Sequence, residues 1–455
     1  MKNIPEQGFD LRRYYSKMVK TTILLLFLVN GTFAQVSKDS LLRLSLQDAI
    51  SRSRLNNKAI LASKIEEEAV TEDLKDAKAT VLPSVSSSGS YQRFTKLTLY
   101  TDGLFGSQSI PRRPGPDGAD VGLSANLNLY SGGRTKSLIE EQEHKSQLAA
   151  LSTRETSGGI SLQVTAQYLE LIRLSAQKKL ALDQVKRAES RLKNINALYR
   201  NQKVTKSDVL RADVMLSNVV LGLEQIQNDL RIAGDKLNVL LDFSGKIRIQ
   251  AVDSLGADSL SAVEIENLIA DVPKVSFPIL KFIESLKVQQ ARIESLRSAY
   301  YPSVSVYSAY GLSYPNTIFV PPVDQAYSIG FIGLKVQYNL SAIYQNKHKI
   351  TSAQKRLQEL GQQKEVFADN ALQEAQSLAI KYKEASNRIQ IVKKQIDQAS
   401  VNYKIVSAKY FNQLALLTDL LDADNLYQEA LYNLIQARAM RQFLVYRLKY
   451  NSGKL

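Results

Sequence analysis

The chain has 455 residues, a formal net charge of +15 at pH 7, no cysteine and two histidines. The absence of cysteine excludes disulfides, thiolate metal sites and a cysteine nucleophile, and two histidines leave little for metal or general-base chemistry. No glycine-rich phosphate loop is present either, so we expect no enzyme, no metal site and no cofactor. Lysine and arginine are spread along helical patterns, which favours a solvated basic surface over nucleic-acid binding.

The N-terminal segment is typical of a secretory signal peptide. Basic residues are frequent up to Lys20, an apolar run covers 23–29, and small residues before Gln35 suit cleavage after Ala34. The apolar run is too short to cross a bilayer as a helix, and no later stretch reaches about 18 apolar residues. We therefore expect residues 1–34 to be removed and the remaining chain to be exported.

The remaining sequence carries one pattern twice. The tetrapeptide Pro-Ser-Val-Ser at 83–86 recurs at 302–305. A second spacing, of 211 residues, is held from Gly122 to Asp213, and chance does not supply so long a register. The sequence therefore predicts an internal duplication. The predicted divisions are a signal peptide at 1–34, repeat 1 at 35–242, a linker at 243–260 and repeat 2 at 261–455.

Each repeat begins with a predicted helix. Capping-box pairs mark the helix starts, Ser45 with Asp48 and Ser261 with Glu264. The two histidines, His144 and His348, occupy non-equivalent positions of the two repeats, so we expect both to be solvated helix residues.

Two strands follow in each repeat. The first comes directly after Pro83 or Pro302, because proline ends the preceding helix. Apolar and polar residues then alternate over roughly 9–11 positions, which is enough to cross a bilayer when the strand is tilted. With no tryptophan in the chain, tyrosines beside the strands would supply the interfacial aromatic residues. The predicted strands are about 84–99, 121–130, 303–314 and 329–340.

A long helical hairpin follows the strands of each repeat. The stretch 135–198 contains no proline, and as one helix it would be about 100 Å long. Apolar residues at steps of three and four, as from Leu216 to Leu240, are typical of coiled-coil seams. A short turn at 201–204 reverses the chain and makes the two helices antiparallel. The predicted hairpins are 135–242 and 345–450.

Four strands per chain are too few for a closed membrane barrel, because the smallest outer-membrane barrels have about eight. The chain must therefore oligomerise. Two copies would give eight strands and three copies would give 12, and the periodicity does not decide between them.

The sequence at 129–134, Leu-Tyr-Ser-Gly-Gly-Arg, and the two hairpin tips resemble the TolC family of outer-membrane efflux channels. At each tip a Tyr is followed nine residues later by Asp-hydrophobic-Leu-x-Ala, at 199–213 and again at 410–424. The resemblance implies a mainly α fold with membrane β-strands. Three protomers would share a 12-stranded trimeric β-barrel, and their antiparallel coiled-coil hairpins would form an α-barrel in the periplasm.

The resemblance further implies an exit duct of a tripartite efflux or type I secretion system in the outer membrane of a Gram-negative bacterium, in contact with outer-membrane lipid. Drugs, toxic compounds or polypeptides would reach this homotrimer from an inner-membrane pump of the RND or ABC type through a periplasmic membrane-fusion adaptor. The alternative is a secreted coiled-coil scaffold or binding protein at a membrane surface. A scaffold has no use for four strands of membrane length.

Functional residues are placed at the tips by the same resemblance. Three-fold symmetry would turn one Asp into a ring of like charges, which attracts cations and raises the pKa of each member. Asp422 is the favoured pore-lining residue, whereas Asp208 and Asp419 would also suit a helix N-terminus. The aperture candidates are Asp419, Asp422, Asp424, Asp208 and Asp213. The adaptor-contact candidates are Tyr199, Asn201, Gln202, Tyr410, Asn412 and Gln413.

Three positions depart from the family pattern. The usual tip glycine is replaced by Gln202 in one repeat and Gln413 in the other. The second tip, at 414–417, lacks the basic residue that often tethers the aperture. The second strand-to-helix junction, at 341–344, lacks the Gly-Gly pair. These departures concern gating and docking, not the fold.

Overall fold

The computed structural model describes residues 41–111, 115–244, 247–256, 259–316, 318 and 323–455. The predicted signal peptide and parts of the predicted linker lie outside these residues. The described chain is mostly helical. Its helices are α1 (Leu46–Asn56), α2 (Lys58–Ala79), α3 (Arg134–Arg200), α4 (Lys206–Leu240), α5 (Ala262–Val275), α6 (Phe277–Arg297), α7 (Ala342–Gln345), α8 (Lys347–Phe411) and α9 (Leu417–Asn451). Its strands are β1 (Leu41–Leu44), β2 (Ser84–Arg93), β3 (Leu97–Tyr100), β4 (Ser107–Ile110), β5 (Asp117–Tyr130), β6 (Arg248–Ala251), β7 (Ser303–Tyr314) and β8 (Tyr327–Gln337).

The helix starts follow their capping residues. Ser45 accepts a hydrogen bond from the Asp48 amide at the start of α1, and Ser261 accepts one from the Glu264 amide at the start of α5. Glu264 Oε2 in turn accepts hydrogen bonds from the amide and the hydroxyl of Ser261, and these two bonds lower the pKa of its carboxyl group.

Four strands form one antiparallel sheet in the order β2-β5-β7-β8. The two halves of the chain meet where β5 pairs with β7, in a register that sets Gly122 opposite Gly311. A Cβ atom on Gly122 would lie 3.2 Å from the Tyr310 carbonyl oxygen, so the strands can approach closely here. Strands β2 and β8 are the edges of this sheet.

The strand predicted at about 84–99 is shorter in the structure. Strand β2 ends at Arg93, and the Phe94 amide then donates to the Pro116 carbonyl, 2.6 Å away. The residues that follow form a separate hairpin of β3 and β4. The apolar alternation from Leu97 onward is therefore that of a second, two-stranded sheet.

The long helices pack as two antiparallel hairpins, α3 with α4 and α8 with α9. Helix α3 has 67 residues and is about 100 Å long. Midway along α3, where α4 ends, Tyr168 and Ile172 of α3 pack against Leu237 of α4 and Ile50 of α1. This cluster fixes the short helix α1 to the first hairpin, whereas α2 packs directly along α3.

A network of hydrogen bonds around Tyr168 lies beside this cluster. The buried Tyr168 hydroxyl lies 2.8 Å from both the Leu44 carbonyl oxygen and Asp253 Oδ2, and the Leu46 amide donates to the same Asp253 oxygen. Strands β1 and β6 pair in parallel beside it. Burial and the bond to Asp253 raise the pKa of Tyr168. This hydrogen-bond network joins β1, α1, α3 and the segment after β6.

The expectation that both histidines are solvated is wrong for His144. Its Nδ1 lies 2.9 Å from Glu284 Oε2, and Glu284 is nearly buried where α6 packs on α3. Lys287 approaches the other oxygen of the same carboxylate at 2.8 Å. His144 was misassigned because its partner lies 140 positions away in the chain.

Candidate functional site: the two helical tips

The first tip, residues 201–205, joins α3 to α4 through a left-handed residue. Gln202 has φ of 60°. The Gln202 amide donates to the Tyr199 carbonyl at 2.8 Å, and the Lys203 amide donates to the Leu198 carbonyl at 2.9 Å. This pair of bonds is the Schellman motif, which ends a helix with one residue in the left-handed region.

The second tip, residues 412–416, repeats this geometry. Gln413 has φ of 64°, and the Leu414 amide donates to the Lys409 carbonyl at 2.8 Å. Glycine is the usual residue in this conformation, because a side chain in the left-handed region costs about 1–2 kcal/mol. The two glutamines that replace the usual glycine therefore keep its backbone conformation.

The returning helices begin with different caps. In the first tip Thr205 Oγ1 accepts from the Asp208 amide at 3.2 Å, and Asp208 Oδ2 accepts from the Thr205 amide at 2.9 Å. In the second tip the Leu416 amide donates to Asp419 Oδ2 at 3.0 Å, but Leu416 has no hydroxyl to complete the box. Both Asp208 and Asp419 therefore act as capping residues within the protomer.

The two tips pack against each other. Ile195 and Val209 of the first hairpin share an apolar cluster with Tyr410, Leu417 and Leu420 of the second. The two tips of the chain are therefore packed together and form one continuous end of the molecule.

The structure places Asp424 inside this end, not on its surface. Asp424 is 4% exposed, and Arg191 of α3, 6% exposed, donates from Nη2 to its Oδ2. Arg187, one turn earlier on α3, brings its Nε to 3.8 Å from Oδ1. Its ion pairs within the protomer contradict an aperture role for Asp424. Sequence reasoning missed both arginines, since only the folded hairpins bring α3 to α9.

Asp422 and Asp213 are exposed, as a residue facing an aperture must be. Asp422 lies three residues after Asp419 on the same helix, so the two carboxylates share one face of α9. Asp213, the equivalent of Asp424 in the first half, has no such burial. Their exposure is therefore compatible with the aperture predicted for both Asp422 and Asp213.

Five of the six adaptor-contact candidates are exposed in the structure, and one is buried. Tyr199 is partly exposed, with Lys206 Nζ 5.7 Å from its ring centre, and Gln202 and Gln413 are exposed. Asn201 and Asn412 are exposed, and each donates its side-chain amide to a carbonyl four residues earlier, at 2.9 Å. Tyr410 is only 5% exposed, and burial raises its pKa. Its selection as a contact residue is therefore a wrong prediction, because its ring belongs to the cluster between the tips.

Among the described residues, no group of His, Cys, Asp or Glu side chains is arranged to hold a metal ion. No helix of the described chain combines the length and the apolar character needed to cross a membrane.

Several solved structures of outer membrane proteins have a fold similar to that of this chain. The fold matches that of the outer membrane protein VceC from Vibrio cholerae with a TM-score of 0.74 at 17% identity, covering 90% of this chain and 96% of that one. It matches the CmeC outer membrane channel of Campylobacter jejuni with a TM-score of 0.74 at 14% identity, over 90% and 85% of the two chains. The open-state MtrE outer membrane channel of Neisseria gonorrhoeae gives 0.71 at 17% identity, over 90% and 88%. No curated protein matches the sequence significantly.

The fold of this chain is therefore that of these solved outer membrane proteins. Residues 49–241, from α1 to the end of α4, match the family described as "Outer membrane efflux protein". The resemblance of the sequence to this family is therefore confirmed over residues 49–241.

Proposed function

We propose that this chain is the exit duct of a tripartite efflux or type I secretion system in the outer membrane of a Gram-negative bacterium. Three copies would form a 12-stranded barrel in the membrane and an α-barrel in the periplasm. Small molecules or polypeptides would pass passively from an inner-membrane pump and a periplasmic adaptor to the exterior. The observation that carries the proposal is a four-stranded sheet with exposed apolar residues, followed in each half by a single helix about 100 Å long, α3 or α8.

The sheet supports membrane insertion through the exposure of its apolar side chains. Ile332 is 77% exposed and Leu334 is 64% exposed on β8, and Val121 is 61% exposed on β5. Leaving such side chains in water costs about 25 cal/mol per Å² of apolar surface. Lipid on the outside of the sheet and neighbouring copies at its edges would remove this cost.

The equivalent tips support an internally duplicated protomer. Gln202 and Gln413 are 211 positions apart and share the same left-handed conformation and the same terminal hydrogen bonds. Each half runs from a helix pair through strands to a long hairpin. We propose that repeat 1 covers 35–242 and repeat 2 covers 261–455, after removal of a signal peptide at 1–34.

At the periplasmic end, we propose that Asp422 lines the aperture and that the composite tip surface contacts the adaptor. Asp422 is exposed one turn above the second tip, whereas Asp208 and Asp419 are engaged as helix caps. The contact surface would include the exposed Gln202 and Gln413.

Electron microscopy of the mature chain in mild detergent tests the proposal. We expect three-fold particles with a detergent belt at one end and a helical tube about 100 Å long. Single-channel recording in planar bilayers should show conductance from the same preparation. Belt-free rods or dimers without conductance would contradict the duct and favour a secreted scaffold.

A further inference from the structure

One face of α3 carries a row of cations that the aperture does not use. The spacing within the row is seven residues, and every member is exposed. Its members are Lys179, Lys186, Lys193 and Arg200. The row is about 30 Å long and ends where α3 turns into the first tip. No member forms an ion pair within the described residues.

The first tip continues the positive charge, since Lys203 and Lys206 are also exposed. The second half of the chain does not repeat this surface, although its backbone has the same geometry. The residues that correspond to the row, at a spacing of 211, are Gln390, Asp397, Lys404 and Phe411, and those that correspond to the tip lysines are Leu414 and Leu417. The basic row is therefore a property of α3 alone and not a requirement of the fold.

The spacing indicates the shape of a partner. On a straight α-helix, positions seven residues apart drift by about 20° per heptad, whereas a left-handed supercoil keeps them in line. A second helix that winds around α3 would therefore stay beside all four cations. In coiled coils, charged side chains at such positions form ion pairs that select the partner helix. A small anion would contact only one or two members of a row this long.

A second copy of this chain offers no matching surface. Along the tip half of the hairpins, the exposed carboxylates that share the seven-residue spacing are Asp422 and Glu429 on α9. They span about 10 Å, a third of the basic row. The other acidic residues on this part of α3, Asp183 and Glu189, lie on the same helix as the cations and cannot act as an opposing row.

We propose that the basic row of α3, with Lys203 and Lys206, is the docking surface for an acidic α-helix of the periplasmic adaptor. This helix lies along α3 and carries a carboxylate at about every seventh residue. The inference rests on the proposed function, because it takes the partner to be the adaptor of an exit duct. It adds a lateral, charge-selective contact to the contact at the tips.

Two synthetic helical hairpins provide the probe. One carries Glu at every seventh position of a single helix, and the other carries Gln at the same positions. Binding to the full mature chain in detergent is measured by biolayer interferometry. We expect the Glu hairpin to bind about tenfold more tightly than the Gln hairpin at low salt, and the difference to disappear near 0.5 M salt because exposed pairs are screened.

Variants locate the contact. K179Q/K186Q/K193Q should abolish the preference for the Glu hairpin, whereas K179R/K186R/K193R should retain it. The matched control removes three exposed lysines from α8, K383Q/K393Q/K394Q, and should keep the preference.

Equal binding of the two hairpins to the wild-type chain would overturn the inference, and so would an equal loss in the α8 control. Dissociation of trimers in the α3 glutamine variant would assign the row to a second copy and would also overturn it. Conductance is recorded on the same preparations. A conducting chain without hairpin preference disproves only the lateral contact, whereas a chain that forms no channels disproves the exit duct itself.

Discussion

Arg191 of α3 and Asp424 of α9 form a buried ion pair between residues 233 positions apart in the chain. Arg187 approaches the same carboxylate, and its Nε and Nη2 atoms have no hydrogen-bond partner among the described residues. The pair joins the two hairpins of a protomer near their tips. Because both partners are nearly removed from water, the loss of either one leaves a buried charge uncompensated.

D424N should therefore destabilise the chain by about 3–5 kcal/mol, the range typical of breaking a buried pair. Chemical unfolding in detergent measures the change, and proteolysis at the tips should accelerate. D213N alters the exposed equivalent in the first half and should change the free energy of unfolding by less than about 0.5 kcal/mol. The double variant R191L/D424L should recover part of the loss, since it removes both charges. A D424N protein as stable as D213N would show that the pair contributes nothing.

Q202G and Q413G should each stabilise a tip by about 0.5–1 kcal/mol. Both glutamines have positive φ, where glycine lacks the steric cost of a Cβ atom. Hydrogen exchange of the amides at 203 and 414 provides a local readout. Q202A and Q413A retain the Cβ atom and should give no gain, so stabilisation by alanine would refute the explanation from backbone strain.

L416T should stabilise the start of α9 by about 1 kcal/mol, because threonine would complete the capping box that Asp419 already half forms. T205L is the reciprocal change at the first tip and should cost a similar amount. Thermal unfolding of the two variants beside the wild type measures both effects. Changes of the same sign in the two variants would contradict this account.

Tyr168 should make stability fall at alkaline pH. Its folded-state pKa is raised, mainly by burial, above the unfolded value of about 10. Its contribution is therefore fully present below about pH 10 and is lost as the pH rises toward the folded pKa. Y168F should cost about 1–3 kcal/mol at neutral pH, because Asp253 loses its hydroxyl donor. Denaturant unfolding between pH 8 and 11 should show a steeper decline for the wild type than for Y168F; parallel curves would exclude this assignment.

D422N should reduce the cation preference of the proposed channel, because a three-fold ring would lose three negative charges. Reversal potentials in a salt gradient measure the preference. D397N removes an exposed carboxylate from α8 and serves as the control. An unchanged reversal potential in D422N would remove Asp422 from the aperture.

Periodicity in the sequence predicted the long helices and the main strands, because each depends on residues close together in the chain. Capping at Asp208 and Asp419 was foreseen for the same reason. The burial of Asp424 and Tyr410 was not predictable, since it depends on α3 meeting the second hairpin. The hairpin of β3 and β4 was also missed, because alternation alone does not tell one long strand from two sheets.

The sheet of the protomer ends in two unpaired strands. Lysine and proline are the residues that usually discourage strand addition at a sheet edge. Strand β2 is rich in serine and has neither of them between Ser84 and Gln92. Strand β8 presents Ile329, Ile332 and Leu334 beside its own free edge. A single copy of the chain in water is therefore an aggregation hazard, because either edge can recruit a further strand.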